Sequence, residues 1–228
     1  MGDAFDLTAN VHRLISAPTG AGKSFFVGYL IEQLYNEEIP FFILDTKTKN
    51  HLGLIGLPKV KRLQIRAGVS YDYKRLANFD NLLCVPSLRT TSEALIREYT
   101  SLMDTIYSLG KKCVIIAEEA HLFNKNPYVP SPTLEIIARE GRGRGICLWY
   151  LTQRIQDFPK LLWSQCCYTY LLKFNIPQDI RYIEALIPDF SQINRDLRRY
   201  DVLEYNHISN EYRTLKRETI VRKTKHYG

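Results

Sequence analysis

The stretch that most limits how this chain can fold is APTGAGKS, Ala17 to Ser24. It lies between VHRLIS (11–16), which reads as a strand, and KSFFVGYLIEQLYN (23–36), whose apolar residues recur at helical spacing. A glycine-rich turn between a strand and a helix is the form of a phosphate-binding loop, G-x-x-x-x-G-K-[ST]. In such a loop successive backbone N–H groups and a helix N-terminus surround an anion. Gly20 and Gly22 let the backbone approach phosphate oxygens without a Cβ in the way. Lys23 would reach the β- and γ-phosphates, and the Ser24 hydroxyl would ligate Mg²⁺. Alanine stands where the pattern has its first glycine, and Ala17 can begin the turn if its φ is negative. The candidate nucleotide-binding residues are Thr19, Gly20, Ala21, Gly22, Lys23, Ser24 and Phe25.

Beyond the loop, short β-type runs alternate with helical patterns. PFFILDT (40–46), RLQIRAG (62–68), NLLCVPS (81–87), KKCVIIAEE (111–119), ICLWYLT (146–152) and CYTYLLKF (167–174) read as strands. SEALIREYTSLMDTIYSLG (92–110) reads as an amphipathic helix ending on glycine. Strands alternating with helices predict an α/β fold with a mostly parallel, buried sheet flanked by helices. The polar turn within YDVLEYNHISNEYRTLKRE (200–218) predicts a C-terminal antiparallel hairpin. No repeat or linker divides the chain, so residues 1–228 are expected to form a single domain. Its core would span about 11–190, with a basic hairpin and tail over 191–228.

A phosphate loop alone says only that a nucleotide binds, and two further motifs narrow the chemistry. Glu118 and Glu119 follow the apolar run VIIA, at the carboxyl end of a strand, where open α/β sheets bind ligands. Glu118 is assigned to Mg²⁺ and Glu119 to the base that deprotonates an attacking water. Neither TKTKN (46–50) nor NKNP (124–127) supplies a guanine reader, which favours adenine. In AREGRGRGICLWYLTQRIQDFPK (138–160), Gln153 follows a strand and suits a γ-phosphate sensor, while Arg139, Arg142 and Arg144 precede it. An arginine at the edge of the fold can enter a neighbouring subunit's site. A flexible nucleic-acid-binding loop and a solvated turn are the competing readings of GRGRG.

The order APTGAGKS, VIIAEEAH, AREGRGRGICLWYLTQRIQDFPK and LLWSQCCYTYLLKFN resembles the HerA–FtsK group of P-loop ATPases over roughly residues 11 to 190. The resemblance implies a RecA-like (ASCE) core in a ring-forming motor that translocates double-stranded DNA with ATP and Mg²⁺. It implies that Glu119 and Gln153 are catalytic and that Arg142 or Arg139 acts in trans. The ring would be a hexamer or a pentamer. Because the loop begins at residue 17, the chain looks like a bare ATPase core of the kind used by viruses for genome packaging. A cytoplasmic place inside a host cell is then expected, with the virion, its capsid proteins or its membrane proteins as a docking point. A conjugation, export or helicase motor would use the same residues. A nucleotide-binding assembly factor without hydrolysis is the alternative of another class.

Composition sets outer limits. A formal charge of +7 favours a polyanionic partner, and its excess gathers in RDLRRY (195–200) and LKRETIVRKTKHYG (215–228). Lys47, Lys49 and Lys125 are candidate phosphate contacts for DNA, with exposed loops as the plainer reading. The five cysteines show no metal-binding spacing and are expected to be buried thiols. The five histidines show no zinc-binding pattern either. Phe25, Phe26, Tyr29 and Trp149 are expected to pack the core. No apolar run is long enough to span a membrane. Gly2 could take a myristoyl group, but Asp6 stands where that motif needs Ser or Thr.

Overall fold

The computed structural model describes residues 10–227, so the reading of Gly2 and Asp6 lies outside the described residues. The strands are β1 (His12–Ser16), β2 (Phe41–Leu44), β3 (Val60–Ile65), β4 (Asn81–Pro86), β5 (Cys113–Ala117), β6 (Ile146–Thr152), β7 (Cys166–Leu171), β8 (Val202–Asn206) and β9 (Glu211–Leu215). They form one sheet in the order β3-β4-β2-β5-β6-β1-β7-β8-β9. Every pairing from β3 to β7 is parallel. β8 runs antiparallel to both β7 and β9, so the C-terminal hairpin extends the main sheet rather than standing apart from it.

Parallel strands must be buried on both faces, because their crossovers lay helices over the sheet. The strands alternate accordingly between two cores. Leu14, Phe42, Leu44 and Ile115 face one; Ile15, Phe41, Ile43 and Ile116 face the other. α1 (Lys23–Asn36) covers the second core with Phe26, Val27, Leu30 and Ile31. α3 (Ser92–Leu109) covers the first with Leu95, Tyr99, Leu102, Met103 and Ile106, one stripe of a 3.6-residue period. Thr91 caps α3 by accepting the Ala94 N–H at 3.2 Å, which ends the preceding loop where the apolar stripe begins.

The remaining helices are α2 (Tyr73–Ala77), α4 (Pro132–Glu140), α5 (Lys160–Ser164), α6 (Pro177–Glu184) and α7 (Phe190–Asp196). α4 and the 3-10 turn Gly141–Arg144 take in the arginine–glycine segment, which is therefore ordered backbone and not an open loop. All five cysteines are buried and unpaired, as the sequence predicts. Phe26 and Trp149 are core residues, whereas Phe25 and Tyr29 are only partly buried. No described helix is long and apolar enough to cross a membrane.

β1 also buries two charged residue types that its apolar neighbours conceal. Arg13 donates to the Tyr170 hydroxyl at 2.7 Å and lies 4.7 Å over the Tyr168 ring. His12 accepts the Leu148 N–H on Nδ1 at 2.9 Å. Burial, with Arg142 nearby, lowers its pKa to about 4. The folded chain therefore binds fewer protons at His12 than the unfolded chain between the ordinary value of 6.5 and about 4. Stability is full above 6.5 and falls as pH drops through that window, by a total on the order of 3 kcal/mol. Urea midpoints measured from pH 7 to 4.5 are expected to fall. His12→Asn, whose oxygen can take the same N–H, is expected to flatten that slope.

Candidate active site

Strand register brings the candidate residues to one edge of the sheet. Ser16, the last residue of β1, lies opposite Thr152, the last residue of β6. Ala117, the last of β5, lies opposite Tyr150. The residues that follow, Ala17, Glu118, Glu119 and Gln153, thus emerge side by side at the carboxyl ends of three adjacent parallel strands.

Ala17 continues β1 by one residue, donating its N–H to the Thr152 carbonyl at 3.3 Å. Its methyl is fully buried, and its φ is not among the positive ones. Alanine therefore serves here as core, with no demand for glycine. The demand falls later: Gly20 and Gly22 have φ of 78° and 99°. A Cβ on Gly22 would also come within 2.7 Å of the Tyr200 ring, so any other residue would be both strained and crowded. Gly22 caps α1, and Lys23 begins it.

Lys23, 8% exposed, lies 3.3 Å from Glu118 Oε2 and 3.9 Å from Glu119 Oε1. Glu118 is 1% exposed, and its other oxygen meets His51 Nε2 at 2.6 Å. Burial opposes its ionisation, but the charges and hydrogen bonds of Lys23 and His51 prevail and hold its pKa at about 2. Beside it, Asp45 is pushed the other way, to about 7, chiefly by burial and against the pull of His51. One lysine and one imidazole thus keep a single carboxylate ionised in a dry place where a second is held near neutrality.

Glu119 sits in the left-handed region, φ 48° and ψ 50°, an uncommon conformation for a residue with a Cβ. The turn aims its carboxylate towards β6. Gln153 Nε2 donates to Glu119 Oε1 at 2.7 Å, and Gln153 Oε1 accepts from the Thr19 hydroxyl. Gln153 therefore ties the phosphate loop to the second glutamate. Glu119 Oε2 is buried and accepts no hydrogen bond from the described residues. His121 Nδ1, which lies 3.0 Å from the Thr152 hydroxyl, stands 3.5 Å from that oxygen.

Lys23, Glu119 and Gln153 border a cavity of about 500 Å³ that the glycine loop and Ser24 also line, while Glu118 is buried outside its lining, paired with Lys23. That volume suits a small-molecule ligand. Phe25 and Lys47 line it as well. Lys47 is thereby a neighbour of the nucleotide site, while Lys49 and Lys125 are exposed on loops. The donor set fits Mg²⁺: the Ser24 hydroxyl on the cavity and the buried, ionised Glu118 carboxylate are hard oxygen ligands, and Glu119 Oε2 is left as a proton acceptor. No group of three or more His, Cys, Asp or Glu among the described residues could hold a metal alone. That suits an ion which takes most of its ligands from phosphate oxygens and water.

The arginines lie elsewhere. Arg142 and Arg144 precede β6, at the end of the strand opposite Gln153. Seven residues of strand put them roughly 20 Å from their own phosphate loop. Arg139 is paired with Glu135 at 2.9 Å, and Arg144 lies 4.4 Å over the Tyr107 ring. Arg142 is exposed, and its guanidinium makes no hydrogen bond or ion pair with the described residues. Several residues at the site escape the sequence motifs: His51, Asp45, His121, Tyr200, Arg217 and His226. The first two flank TKTKN, where a carboxylate at a strand end was a usable signal; the rest give none locally.

Parallel sheet order, glycine loop and strand-end carboxylates together define the P-loop NTPase fold. The chain belongs to the family described as "Helicase HerA, central domain", which matches residues 5–127, more than half its length. Among solved structures it is similar to the genome packaging NTPase B204 of Sulfolobus turreted icosahedral virus 2, bound to ATP-γS. That likeness has 17% identity and a TM-score of 0.71, covering 92% of this chain and 98% of that one. It is also similar to VirB4 of Thermoanaerobacter pseudethanolicus, with 12% identity, 90% and 88% coverage and a TM-score of 0.67. A third is the bacterial conjugative coupling protein TrwBΔN70, with 11% identity, 92% and 86% coverage and a TM-score of 0.68. No curated protein matches the sequence at a significant level.

Proposed function

We propose that this protein is a Mg²⁺-dependent ATPase that drives double-stranded DNA translocation as a homo-oligomeric ring, in the manner of a viral genome-packaging motor. The observation that carries the hydrolytic part is the chain of contacts from Thr19 through Gln153 to Glu119, beside Lys23. Lys23 exchanges Glu118 for the β- and γ-phosphates when nucleotide enters. Ser24 and Glu118 would hold Mg²⁺, which supplies charge neutralisation on the phosphates. Glu119 Oε2 takes a proton from water as its oxygen bonds to the γ-phosphorus and the bond to the β-phosphate oxygen breaks. Gln153 keeps Glu119 in place and, through Thr19, links its position to the filling of the loop. A scaffold that only binds nucleotide has no need of this relay.

The DNA and packaging parts rest on family membership, on the +7 charge and on likeness to the B204 structure. A conjugation or export motor is the second reading, favoured by the similar TM-scores of the TrwB and VirB4 structures. ATP hydrolysis across a protein concentration series, with and without double-stranded DNA, tests the proposal. Turnover that rises with concentration and with DNA is expected. A monomer whose turnover depends on neither would overturn the ring motor, and binding without turnover in every condition would favour an assembly factor.

A further inference from the structure

The segment after β9 turns back over α1 and becomes a wall of the same cavity. Its seat is specific. The Arg222 side chain is fully buried and lies 3.5 Å from Glu32 on α1. It occupies the space above Gly28, where any Cβ would overlap its guanidinium. The Glu32 carboxylate also accepts the backbone N–H of Lys223 at 2.7 Å and of Thr224 at 2.8 Å, with the Thr224 hydroxyl at 2.6 Å. A buried carboxylate satisfied by this many donors fixes a segment firmly, since each charge-assisted bond is short and strong.

Docked in this way, the segment presents Arg217, Ile220 and His226 to the cavity. The Arg217 guanidinium lies 4.5 Å over the Phe25 ring, and the His226 ring meets Phe25 edge-on with centroids 5.7 Å apart. Arg217 is itself held in place. Its N–H donates to Asp201 at 3.0 Å and its Nη1 to the Ile220 carbonyl at 3.0 Å. None of these cavity-facing groups is a carboxylate. What they offer is flat aromatic and guanidinium surface. A nucleoside triphosphate held by its phosphates has one flat apolar part left to place, its base.

We propose that residues 217–226 form the base-binding wall of the nucleotide site, with Phe25 and Arg217 providing the stacking surface for a purine. The proposal rests on the reading that the loop holds a nucleoside triphosphate. Stacking reads the face of a base and not its hydrogen-bonding edge. The wall therefore favours ATP and GTP over CTP and UTP through ring area, without separating adenine from guanine.

The test compares calorimetric binding of ATP and of inorganic tripolyphosphate, which lacks a base. Loss of one stacking partner is worth about tenfold in affinity. Arg217→Ala and Arg217→Lys, the second keeping charge but losing the plane, are each expected to weaken ATP about tenfold and tripolyphosphate less than about twofold. Arg222→Ala, which unseats the segment from outside the cavity, is expected to give the same selective loss. If the Arg217 variants weaken both ligands equally, or neither, the base wall is wrong. Lys23→Ala separates the two readings. If it weakens both ligands while the Arg217 variants bind ATP as the wild type does, only the wall falls; if the wild type binds neither ligand, both fall.

Discussion

Glu119→Gln is expected to lower the rate of ATP hydrolysis by about 10²–10⁴-fold, the span that general-base catalysis contributes, while ATP still binds. The geometry gives the reason. Glu119 Oε1 is committed to Gln153 at 2.7 Å, which fixes the carboxylate; Oε2 is the acceptor left over in a buried place. Glutamine has the same shape, so the loop, Lys23 and Glu118 keep their positions. An amide oxygen cannot hold the proton of an attacking water, and the chemical step alone is lost. Glu118→Gln should behave differently. It removes the charge that Lys23 and His51 hold ionised, so affinity for Mg²⁺-nucleotide falls along with turnover. Single-turnover hydrolysis beside equilibrium ATP binding distinguishes the two. If Glu119→Gln hydrolyses ATP within about tenfold of the wild type, Glu119 is not the base.

The parts of this site that were legible in the sequence are those where chemistry coincides with the end of a strand. The glycine loop, the glutamates after VIIA and Gln153 after ICLWYLT each follow a buried run, and the parallel register does the rest. Ala17 was legible as a departure but not as a solution; that needed the core which its methyl fills. His51 could not be read in this way. It reaches Glu118 from a loop 67 positions earlier in the chain, and nothing in KTKNH marks it as the partner of a carboxylate. The C-terminal segment misled in the opposite sense. Its lysines and arginines read as charge offered to a polyanionic partner, yet the Arg222 side chain is buried, because a single acidic residue on α1 gives it a partner there. Phe25 likewise belongs at the rim of the cavity and not in the core. α2, α5, α6 and α7 span only five to eight residues each, too few for a 3.6-residue period to be seen against noise. α4 had a usable signal in Ser131 followed by Pro132, an N-cap with proline in the first turn.

On the proposed ring-motor reading an arginine from a neighbouring copy enters the site, and the second large effect is predicted there. Arg139 and Arg144 are already held, by Glu135 and by the Tyr107 ring. Arg142 is exposed and without such a partner among the described residues, at the end of β6 far from its own phosphate loop. A guanidinium so placed cannot reach its own γ-phosphate, but in a head-to-tail ring it can face the next subunit's. Arg142→Ala is accordingly expected to lose about 10³-fold or more in turnover, the scale of a trans-acting arginine, with ATP affinity little changed. Arg139→Ala should lose far less, since it breaks only an exposed pair. Mixing decides whether the action is in trans. Arg142→Ala and Glu119→Gln subunits are each inactive alone, but in a mixed ring some interfaces join an intact Glu119 to an intact Arg142. Random equal mixing makes about a quarter of interfaces competent in a heterologous ring, so activity should return to roughly that fraction of the wild type. Mixtures as inactive as their parents, in rings shown by mass measurement to contain both chains, would overturn the action in trans.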